Sequence, residues 1–597
     1  MSAAFTITID GRPVEVQPGE SVLAAARKLA IDIPTLCYLE KCGPLNSCQV
    51  CLVKSNGKLV PSCGTKATPG MAIESETEEV HEARRTALEL LFSDHVGDCL
   101  SPCHRLCPLG LNIPVMLRHV SAERFEEAAV VVRQAMPLAG ILGRLCHHPC
   151  EQGCRRGNWD DPAAIRDMER VVADWDLGFH TAPTDHRVAL PHPNPLPLGE
   201  GTATGGQPVS KTGPIAPQSG NNSPSPWGEG RGEGERGALP FDDSEQPARQ
   251  PYVPLCNPAS GKSVVIVGAG PTGLTAAFYL ARNGHRVTVC DRATEAGGSL
   301  REVPEQTLPA SVRAAEIAAL TRMGIEFKLG VELGREVTAE GLTRGFDAIL
   351  LAVGELTLQD VPKLGVPMAG KLVKTDPNTS QTHVDRVFAA GSCVRPQKQL
   401  VKAMSEGRAA AECVHRFLIG KAVRRPEKPF TSMMGKLDPR ELKTFILASK
   451  AGGSVMPCDR CAGHSKAEAA QESSRCLHCD CASSGNCVLQ HYAQVYNADA
   501  NRFRTERRQY EQQEQPGGII FEPGKCIVCG ICVRLAEMAA EPLGLTFVGR
   551  GFDVRVSAPF DRTIEEGLQK VAAECVEQCP TGALVFAEKS AICQLPK

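Results

Sequence analysis

Cysteines are the residues of this sequence whose spacing suggests chemistry most directly. The chain contains 27 of them among 597 residues, and many are separated by only two or three positions. Disulfide-rich chains are typically short and secreted, whereas this N-terminus lacks the basic and apolar regions of a signal peptide. Closely spaced cysteines in a long chain are typical of metal ligands. We therefore expect metal clusters rather than disulfides.

Four cysteines near the N-terminus have the arrangement of a [2Fe–2S] site. A loop with three thiolates, joined by a fourth from a later turn, supplies the two thiolates that each iron requires. The four residues are Cys37, Cys48, Cys51 and Cys63. Cys42 lies in the same loop and stays an alternative ligand, and a structural zinc ion is the alternative occupant.

A second set of cysteines comes in two halves with three-residue gaps. Such gaps place thiolates on one face of a helical turn. The residues are Cys99, Cys103, Cys107, Cys146, Cys150 and Cys154. Six thiolates are more than the four that one [4Fe–4S] cluster needs and fewer than the eight that two would need.

Two further sets lie toward the C-terminus. Cys476, Cys479, Cys481 and Cys487 suit one [4Fe–4S] cluster or a tetrahedral zinc ion, with Cys458 and Cys461 upstream as a spare pair or alternative half-site. The last set joins a bacterial ferredoxin run to the Cys-Pro ending of a second run. It predicts one [4Fe–4S] cluster held by Cys526, Cys529, Cys532 and Cys579, with Cys575 left over.

A glycine-rich turn in the middle of the chain is typical of dinucleotide binding. A predicted strand enters Gly268, Gly270 and Gly273, and a helix follows, so that a pyrophosphate can approach the helix N-terminus. The next predicted strand ends at Asp291, placed to bind a ribose hydroxyl. Later positions extend the pattern: Gly297, Gly298, Gly354, Gly391 and Ser392.

The elements that must position these residues divide the chain into six stretches. The first predicts a hairpin at Asp10–Gly11 and a helix capped by Ser21, as in a ferredoxin-like β-grasp unit. The second is helical, the third is a disordered Pro/Gly/Ser/Asn-rich linker or insertion, and the fourth alternates strands and helices as nucleotide-binding domains do. The last two carry cysteines in short mixed elements. The boundaries are 1–80, 81–180, 181–257, 258–420, 421–515 and 516–597.

Charge and hydropathy exclude several classes of partner. The formal net charge is −3, so neither nucleic acid nor an anionic membrane is expected as the main partner. No apolar run approaches the roughly 18–20 residues that cross a bilayer. We expect a cytoplasmic protein without direct membrane insertion and with a multidomain fold of the α+β and α/β classes.

These motifs resemble known redox proteins, one segment at a time. The Cys37 loop and residues 60–63 resemble the N-terminal [2Fe–2S] domain of complex I's large iron–sulfur subunit and of related hydrogenase and formate dehydrogenase subunits. The helical block and the glycine-rich segment resemble the small subunit of glutamate synthase and dihydropyrimidine dehydrogenase. That resemblance implies FAD, with Ser392 where the family usually has Asp. It also implies two [4Fe–4S] clusters that draw on both cysteine halves.

The same resemblance suggests the missing ligands. The family's first cysteine is absent here, and His95 is the nearest candidate; a histidine sits similarly in a complex I cluster held by one histidine and three cysteines. Glu169 falls where the family places Gln or Glu near its second cluster. Two to four [4Fe–4S] clusters and one [2Fe–2S] cluster are therefore expected.

A nicotinamide-binding domain is predicted to be missing. In the resembled family, a complete NAD(P)H-binding domain interrupts the FAD domain before its last glycine motif. Here only residues 355–390 separate Gly354 from Gly391, and a βαβ unit alone takes about 30 or more residues. We expect a Rossmann-like FAD domain that cannot take hydride from a nicotinamide by that family's route.

The cofactors together predict an iron–sulfur flavoprotein that relays electrons between partner redox subunits. A flavin exchanges electrons in pairs and clusters exchange them singly, so the combination converts between the two modes. The resemblances suggest a complex of the NAD(P)-linked diaphorase, hydrogenase or formate dehydrogenase type. Two alternatives stay open: an NAD(P)H-dependent donor like the glutamate synthase small subunit, and a zinc-bound scaffold without redox function.

Overall fold

A computed structural model describes residues 4–179, 250–449, 452–458, 463–515 and 517–587. The predicted linker at 181–257 lies outside the described residues as far as residue 249, and Cys461 lies outside them too. The described residues on either side of that gap belong to one compact unit.

The N-terminal residues form a five-stranded sheet and one helix. Alternating apolar side chains give β1 and β2 one buried face, and the two strands pair antiparallel around Asp10–Gly11, as predicted. Ser21 caps the helix by accepting a hydrogen bond from the Ala24 amide at 3.2 Å, also as predicted. The strand order is β2-β1-β7-β5-β6, and β3 and β4 form a separate ribbon. The elements are β1 (Phe5–Ile9), β2 (Arg12–Val16), α1 (Val22–Lys28), β3 (Tyr38–Leu39), β4 (Gly43–Pro44), β5 (Leu52–Ser55), β6 (Lys58–Pro61) and β7 (Ala72–Glu74).

Helices occupy the next region, where short turns place cysteines at the helix ends. Cys107 is the C-cap residue of α3, and Cys146 is the C-cap residue of α6. The helices are α2 (Glu78–Phe92), α3 (Pro102–Leu106), α4 (Ile113–Ser121), α5 (Phe125–Ala135), α6 (Ala139–Leu145), α7 (Pro149–Gln152) and α8 (Ile165–Asp176).

A parallel sheet forms the centre of the third region. Its strand order is β10-β9-β8-β11-β14, and every pairing is parallel. Helices α9 and α12 pack closely because Gly407 has no side chain; a Cβ there would collide with the Thr272 carbonyl oxygen. The elements are β8 (Ser263–Val267), α9 (Pro271–Arg282), β9 (Arg286–Asp291), α10 (Ala310–Arg322), β10 (Glu326–Leu329), α11 (Ala339–Gly345), β11 (Ala348–Leu351), β12 (Met368–Ala369), β13 (Leu372–Val373), β14 (Val387–Ala389) and α12 (Leu400–Leu418).

The connection from β11 to β14 is short and has little regular structure. It contains one helical turn at Val361–Lys363 and the antiparallel ribbon of β12 and β13. All of residues 352–386 are described, and no βαβ unit occurs in them.

Short helices and small sheets make up the C-terminal region. Strands β15, β16 and β19 form an antiparallel sheet, and β17 pairs with β18. The elements are α13 (Pro439–Ala448), α14 (Lys466–Ser473), α15 (Val488–Val495), β15 (Gln513–Glu514), β16 (Ile519–Phe521), α16 (Ile531–Met538), β17 (Thr546–Val548), β18 (Arg555–Ser557), α17 (Ile564–Gly567), α18 (Ala572–Gln578) and β19 (Leu584–Phe586).

A buried ion-pair network joins the helical region to the parallel-sheet region. Arg133 of α5 donates to Asp176 of α8 at 2.7 Å and to Glu316 of α10 at 2.5 Å. The Gly140 amide donates to the second oxygen of Glu316 at 2.5 Å, and the Tyr252 amide donates to Asp176 at 2.8 Å. The two regions therefore share one polar core.

No single helix in the described part of the chain is long and apolar enough to cross a membrane. Helices α5 and α6 pass that test only as a pair, with a bend of 85° between them.

Candidate metal centres and dinucleotide site

The four N-terminal cysteines predicted to bind a cluster lie together; we call Cys37, Cys48, Cys51 and Cys63 the Cys37 group. All four are buried, and the Sγ atoms of Cys51 and Cys63 are 3.3 Å apart. The Cys48 amide donates to the Cys37 Sγ at 3.5 Å. Hydrogen bonds with Cys48 and Cys63 lower the pKa of Cys37. Cys42 lies beside Lys41, Arg534 and Glu574 and packs against the core that contains Cys37 and Cys48.

The loop that carries the Cys37 group depends on local backbone geometry. Asn46 and Gln49 both adopt the left-handed conformation, with φ of 55°. Asn46 Oδ1 accepts a hydrogen bond from Cys63 Sγ at 3.3 Å, and a Cβ at Gly64 would collide with the Asn46 side chain. A side chain at position 64 would therefore displace the Asn46 amide from the fourth thiol.

Three cysteines of the helical region surround one buried carboxyl group; Cys107, Cys146, Cys150 and Glu169 form the Cys107 group. Glu169, on α8, is 2% exposed, and burial raises its pKa to about 8. Burial and then the neighbouring Glu169 raise the pKa of Cys107 to about 11 and that of Cys146 to about 12. The same two causes raise the pKa of Cys150. The side chain predicted to complete this set thus neighbours all three thiols.

Two of the three remaining cysteines of the helical region, Cys103 and Cys154, neighbour thiols of the C-terminal region; Cys103, Cys154, Cys476 and Cys479 form the Cys103 group. Burial raises the pKa of Cys103, and Cys154 and Cys479 raise it further. Burial likewise raises the pKa of Cys476, with Cys103 and Cys154 as its thiol neighbours. Cys103 and Cys476 belong to the same apolar core.

A fourth group, the Cys99 group, contains His95, Cys99, Cys481 and Cys487. Burial raises the pKa of Cys487 to about 12, with Cys481 and Cys99 among its neighbours. Burial and then the neighbouring Lys525 lower the pKa of His95 to about 3. The same Lys525 neighbours Cys99 and Cys481. The His95 Nδ1 atom is buried and has no hydrogen-bond partner within the described residues.

Cys476 and Cys479 thus neighbour Cys103 and Cys154, whereas Cys481 and Cys487 neighbour Cys99, so the run that was expected to hold a single cluster lies in two groups. Asp480 separates the two halves and forms a two-fold hydrogen-bonded pair with Arg118 of α4 at 2.7 and 3.0 Å. Because this pair holds the chain between Cys479 and Cys481, one half of the run faces the helical region and the other faces residues 522–525 and 579–582.

Five thiols meet in the C-terminal region; Cys526, Cys529, Cys532, Cys575 and Cys579 form the Cys526 group. They line one cavity with almost entirely apolar walls. Cys575, left over by spacing, is buried and neighbours Cys579; burial raises its pKa to about 12.

The groups adjoin one another in a single order. Ser47 Oγ, beside Cys37, donates to the Cys529 carbonyl at 3.2 Å, which joins the Cys37 and Cys526 groups. Cys487 Sγ lies 3.7 Å from the Pro580 carbonyl, which joins the Cys526 and Cys99 groups. The Cys99 and Cys103 groups meet at Asp480. The Cys103 and Cys107 groups share helix α3 and its C-cap.

The Cys107 group in turn lies against the helices of the glycine-rich segment. Arg408 of α12 donates to the carbonyl of Leu109, two residues beyond Cys107. The Arg408 guanidinium also lies 5.4 Å from the centroid of the Tyr279 ring on α9. Gly407, next to Arg408, packs against Thr272 in the first turn of α9, directly after the predicted pyrophosphate loop, so the order of groups ends beside the dinucleotide site.

The glycine-rich loop has the shape that its sequence predicts. Gly268 has a φ of +115°, and Cβ atoms at Gly268 or Gly273 would collide with backbone carbonyls. At Gly270 the nearest atom to a Cβ is the Gly298 Cα at 3.9 Å, so the protein leaves room there for a ligand. Asp291 accepts hydrogen bonds from the Ala269 amide at 2.6 Å and the Ala293 amide at 2.8 Å.

The remaining predicted dinucleotide residues lie around the same loop. Gly297 and Gly298 follow Asp291, and the Gly298 Cβ position would be 2.8 Å from the Gly270 Cα. A Cβ at Gly391 would be 2.6 Å from Thr272 Oγ1, and half-buried Ser392 follows. Gly354 has a φ of +77° just after β11, beside the cleft lined by Gly268, Asp291 and Val353. These residues fit a bound dinucleotide.

Two side chains near the thiols were missed from the sequence. Lys525 is buried and forms an ion pair with Glu522 next to the Cys99 group. Ser432 Oγ lies 3.2 Å from Cys99 Sγ. Neither carries a spacing signal.

No group of three or more His, Cys, Asp or Glu side chains in the described ranges converges as around one metal ion. The members of each group named above are therefore neighbouring side chains.

Three protein families match consecutive parts of the chain. Residues 2–78 match the 2Fe-2S iron-sulfur cluster binding domain. Residues 74–180 match dihydropyrimidine dehydrogenase domain II, 4Fe-4S cluster. Residues 229–407 match the pyridine nucleotide-disulphide oxidoreductase family.

Curated relatives match parts of the chain. The NADP(+)-dependent formate dehydrogenase subunit beta of Moorella thermoacetica is 35% identical over 42% of this chain and 29% of its own length. The NADP-reducing hydrogenase subunit HndD of Solidesulfovibrio fructosivorans is 49% identical over 16% of this chain and 18% of its own length. The small chain of NADPH glutamate synthase from Mycobacterium tuberculosis is 27% identical over 46% of this chain and 42% of its own length.

This chain thus spans less than half the length of each of these relatives. Its relatives are oxidoreductase subunits, and the resemblances stated from the sequence are confirmed. The chain is a multidomain protein that joins a 2Fe-2S domain, a dihydropyrimidine dehydrogenase-type 4Fe-4S domain and a pyridine nucleotide-disulphide oxidoreductase segment.

Proposed function

We propose that this chain is an iron–sulfur flavoprotein that relays electrons between FAD and partner redox subunits. The observation that carries the proposal is the unbroken order of ligand groups, from the Cys37 group through the Cys526, Cys99, Cys103 and Cys107 groups to the dinucleotide loop. When bound, FAD exchanges electrons in pairs and the clusters exchange them singly. The chain's own role is to hold these cofactors next to one another and away from water.

The side chains fit the cofactors by their chemistry. Thiolates and an imidazole are ligands of iron–sulfur clusters, and the thiols of the Cys37 group are in mutual contact. The Cys37 group would hold one [2Fe–2S] cluster, and the other four groups would each hold one [4Fe–4S] cluster. Zinc without redox function stays the alternative for individual groups, and the family matches favour iron.

The sheets support two finer fold assignments. The mixed sheet β2-β1-β7-β5-β6 with α1 supports a β-grasp ferredoxin unit in residues 1–80. The parallel order β10-β9-β8-β11-β14 supports a Rossmann-like unit in residues 258–420. The proposed helical domain covers 81–180, and the cysteine-rich and ferredoxin-like parts cover 421–515 and 516–597.

We further propose that the chain does not oxidise NAD(P)H by itself. The connection between β11 and β14 holds a ribbon and a helical turn, which supports the loss of the nicotinamide domain. Electrons would then enter or leave through another subunit, of the diaphorase, hydrogenase or formate dehydrogenase type. This same connection counts against a glutamate synthase-like donor that uses NADPH directly.

The test of the flavin site is a single substitution, Gly270→Ala. The added methyl group has space in the protein but lies where a pyrophosphate would approach, so FAD content should fall at least tenfold. The melting temperature of the flavin-free protein should be unchanged. Full flavin content in the anaerobically purified variant would contradict the assignment of this loop.

The matching functional test uses the wild-type protein. Dithionite should bleach the flavin and the clusters together, while NADH or NADPH alone should leave both oxidised. Rapid bleaching by either nicotinamide at one equivalent would overturn the second proposal, and zinc without acid-labile sulfide would overturn the first.

A further inference from the structure

We propose that the four cysteines between residues 476 and 487 serve two different [4Fe–4S] clusters, each completed by ligands from the N-terminal half of the chain. The first cluster takes Cys476, Cys479, Cys103 and Cys154; the second takes Cys481, Cys487, Cys99 and His95. This inference rests on the proposed function, because it assigns ligands to two of its clusters.

The first support is that the two ends of this run lie in different apolar cores. Cys476 packs in the core that contains Cys103, together with α9 and the parallel sheet. Cys487 packs against another core, which contains Cys529 and Leu489. Four thiols that bind one [4Fe–4S] cluster must face a common centre. Because Cys476 and Cys487 pack in two different cores, they are poorly placed to bind the same cluster.

The second support is the anchoring of Cys476 beside Cys154. Arg475 is fully buried and donates to Asp160 Oδ1 at 3.1 Å and to the Asp161 carbonyl at 2.8 Å. Glu472, also buried, accepts a hydrogen bond from the Ala164 amide at 3.0 Å. Because residues 160–164 follow Cys154 closely, these contacts hold the end of α14 against the turn that carries that thiol.

Cys479 is directed to the same place. Its neighbours include Arg155, which follows Cys154 and forms an ion pair with Asp98. Helix α3, which carries Cys103, packs against α7, which precedes Cys154. Two thiols from each half of the chain are therefore neighbours.

The third support is the turn at Asp480. The side chains of Arg118 and Asp480 are 9% and 4% exposed, so their hydrogen-bonded pair is shielded from water. His478, just before Cys479, adopts the left-handed conformation with a φ of 45°. The backbone thus changes direction between the two halves of the run, and a buried ion pair holds that change.

Beyond the turn, the chain meets the other set of partners. A Cβ at Gly582 would collide with the Cys481 Sγ, so this thiol lies against the turn after Cys579. The Val96 amide donates to the Gly524 carbonyl at 2.7 Å, which brings residues 95–99 to the same side. Ser432 orients Cys99 by contacting its Sγ at 3.2 Å and donating to the Gly97 carbonyl at 2.8 Å.

His95 supplies the fourth donor of this second cluster. Its buried Nδ1 lacks a hydrogen-bond partner among the described residues, which is costly for a neutral imidazole unless something else binds it. An imidazole with three thiolates gives the donor number that a cubane requires.

The test compares Cys479 and Cys481, which would bind the same cluster if residues 476–487 held only one. Cys479→Ala should remove the same electron paramagnetic resonance signal as Cys154→Ala, and Cys481→Ala should remove the same signal as Cys99→Ala. The double variant Cys479→Ala/Cys154→Ala should lose about four iron atoms per chain, whereas Cys479→Ala/Cys481→Ala should lose about eight.

Two results would overturn the inference. One is loss of a single common signal in Cys479→Ala and Cys481→Ala, with about four iron atoms lost from their double variant. The other is unchanged signals in both Cys154→Ala and Cys99→Ala. The [2Fe–2S] signal of the Cys37 group serves as the folding control in every variant.

Serine variants keep the test decisive if an alanine variant does not fold. Serine at 479 or 154 can still coordinate iron, so it should shift the midpoint potential of one signal, and serine at 481 or 99 should shift that of another. Shifts of one shared signal by serine at 479 and at 481 would again overturn the inference. A different result would contradict the proposed function and leave the ligand assignment intact: clusters that dithionite reduces in a purified protein that contains no flavin.

Discussion

The four thiols of the Cys37 group lie between residues 37 and 63, on one loop and the turn after β6. Those of the Cys103 group come from α3, from the turn after α7 and from the segment after α14. The ligands of the first site all come from one small sheet and its loop, although Cys37 and Cys48 also pack in the apolar core of the C-terminal region. The second exists only after the helical region and the C-terminal region have packed together. A local site and a composite site should therefore respond differently to the same perturbation.

Removal of all iron should give the largest difference between the two sites, in the rates of amide hydrogen exchange around them. In anaerobically chelated protein, amide hydrogen exchange in α14 and residues 476–487 should accelerate about a thousandfold, because the clusters hold that segment to its partners. Exchange in β1 and β2 should accelerate less than about tenfold, since their pairing needs no ligand. Hydrogen exchange read by mass spectrometry measures both in one sample, with cluster-reconstituted protein as the control. Equal acceleration in both regions would break the comparison.

Loss of the buried ion pairs that join the helical region to the parallel-sheet region should have the next largest effect, on the free energy of unfolding. Arg133→Met leaves Asp176 and Glu316 buried without their cation, which should lower the free energy of unfolding by about 3–5 kcal/mol. Denaturant unfolding measures this. The matched control is Arg424→Met, which removes an exposed pair with Glu427 and should cost no more than about 1 kcal/mol. Similar costs for the two variants would show that the Arg133 network does not hold the regions together.

The charge of Lys525 should affect the midpoint potential of the cluster in the Cys99 group. Lys525→Met removes a buried cation beside Cys99 and Cys481, so the midpoint potential of that cluster should fall by roughly 50–100 mV. Adding Glu522→Gln removes the paired negative charge and should return the potential toward the wild-type value. Redox titration followed by electron paramagnetic resonance reads both. If the midpoint potential of the Cys37-group cluster shifted instead, the assignment of Lys525 to the Cys99 group would be wrong.

The contact between the Cys37 and Cys526 groups should give the smallest effect. Ser47→Ala removes the hydroxyl that donates to the Cys529 carbonyl and whose dipole lies beside Cys37, so the [2Fe–2S] midpoint potential should fall by about 10–30 mV. Ser405→Ala is the control, because Ser405 also donates to a backbone carbonyl, that of Lys402, but lies on α12, which carries no member of any thiol group. Equal shifts in the two variants would remove Ser47 from the path between the groups.

Local signals predicted the local features well. The hairpin at Asp10–Gly11, the Ser21 cap and the gathering of Cys37, Cys48, Cys51 and Cys63 all depend on residues close in sequence. The glycine loop at 268–273 behaves in the same way, because a tight turn leaves only glycine at positions where a Cβ would collide with backbone. Glu169 was found through a family resemblance, and burial gives that carboxyl group its raised pKa.

The division of Cys476, Cys479, Cys481 and Cys487 between two groups was decided by the tertiary structure. By itself, the sequence determined which residues carry thiols, how closely they follow one another, and that the stretch between Gly354 and Gly391 is too short for a nucleotide-binding domain. Spacing reports which residues are near each other along the chain. It contains no information on Arg118 and Asp480, whose buried pair turns the chain between two thiols, or on Asp160 and Arg475, which bring Cys476 to Cys154. Those contacts join residues hundreds of positions apart, and only the packing of the two regions creates them.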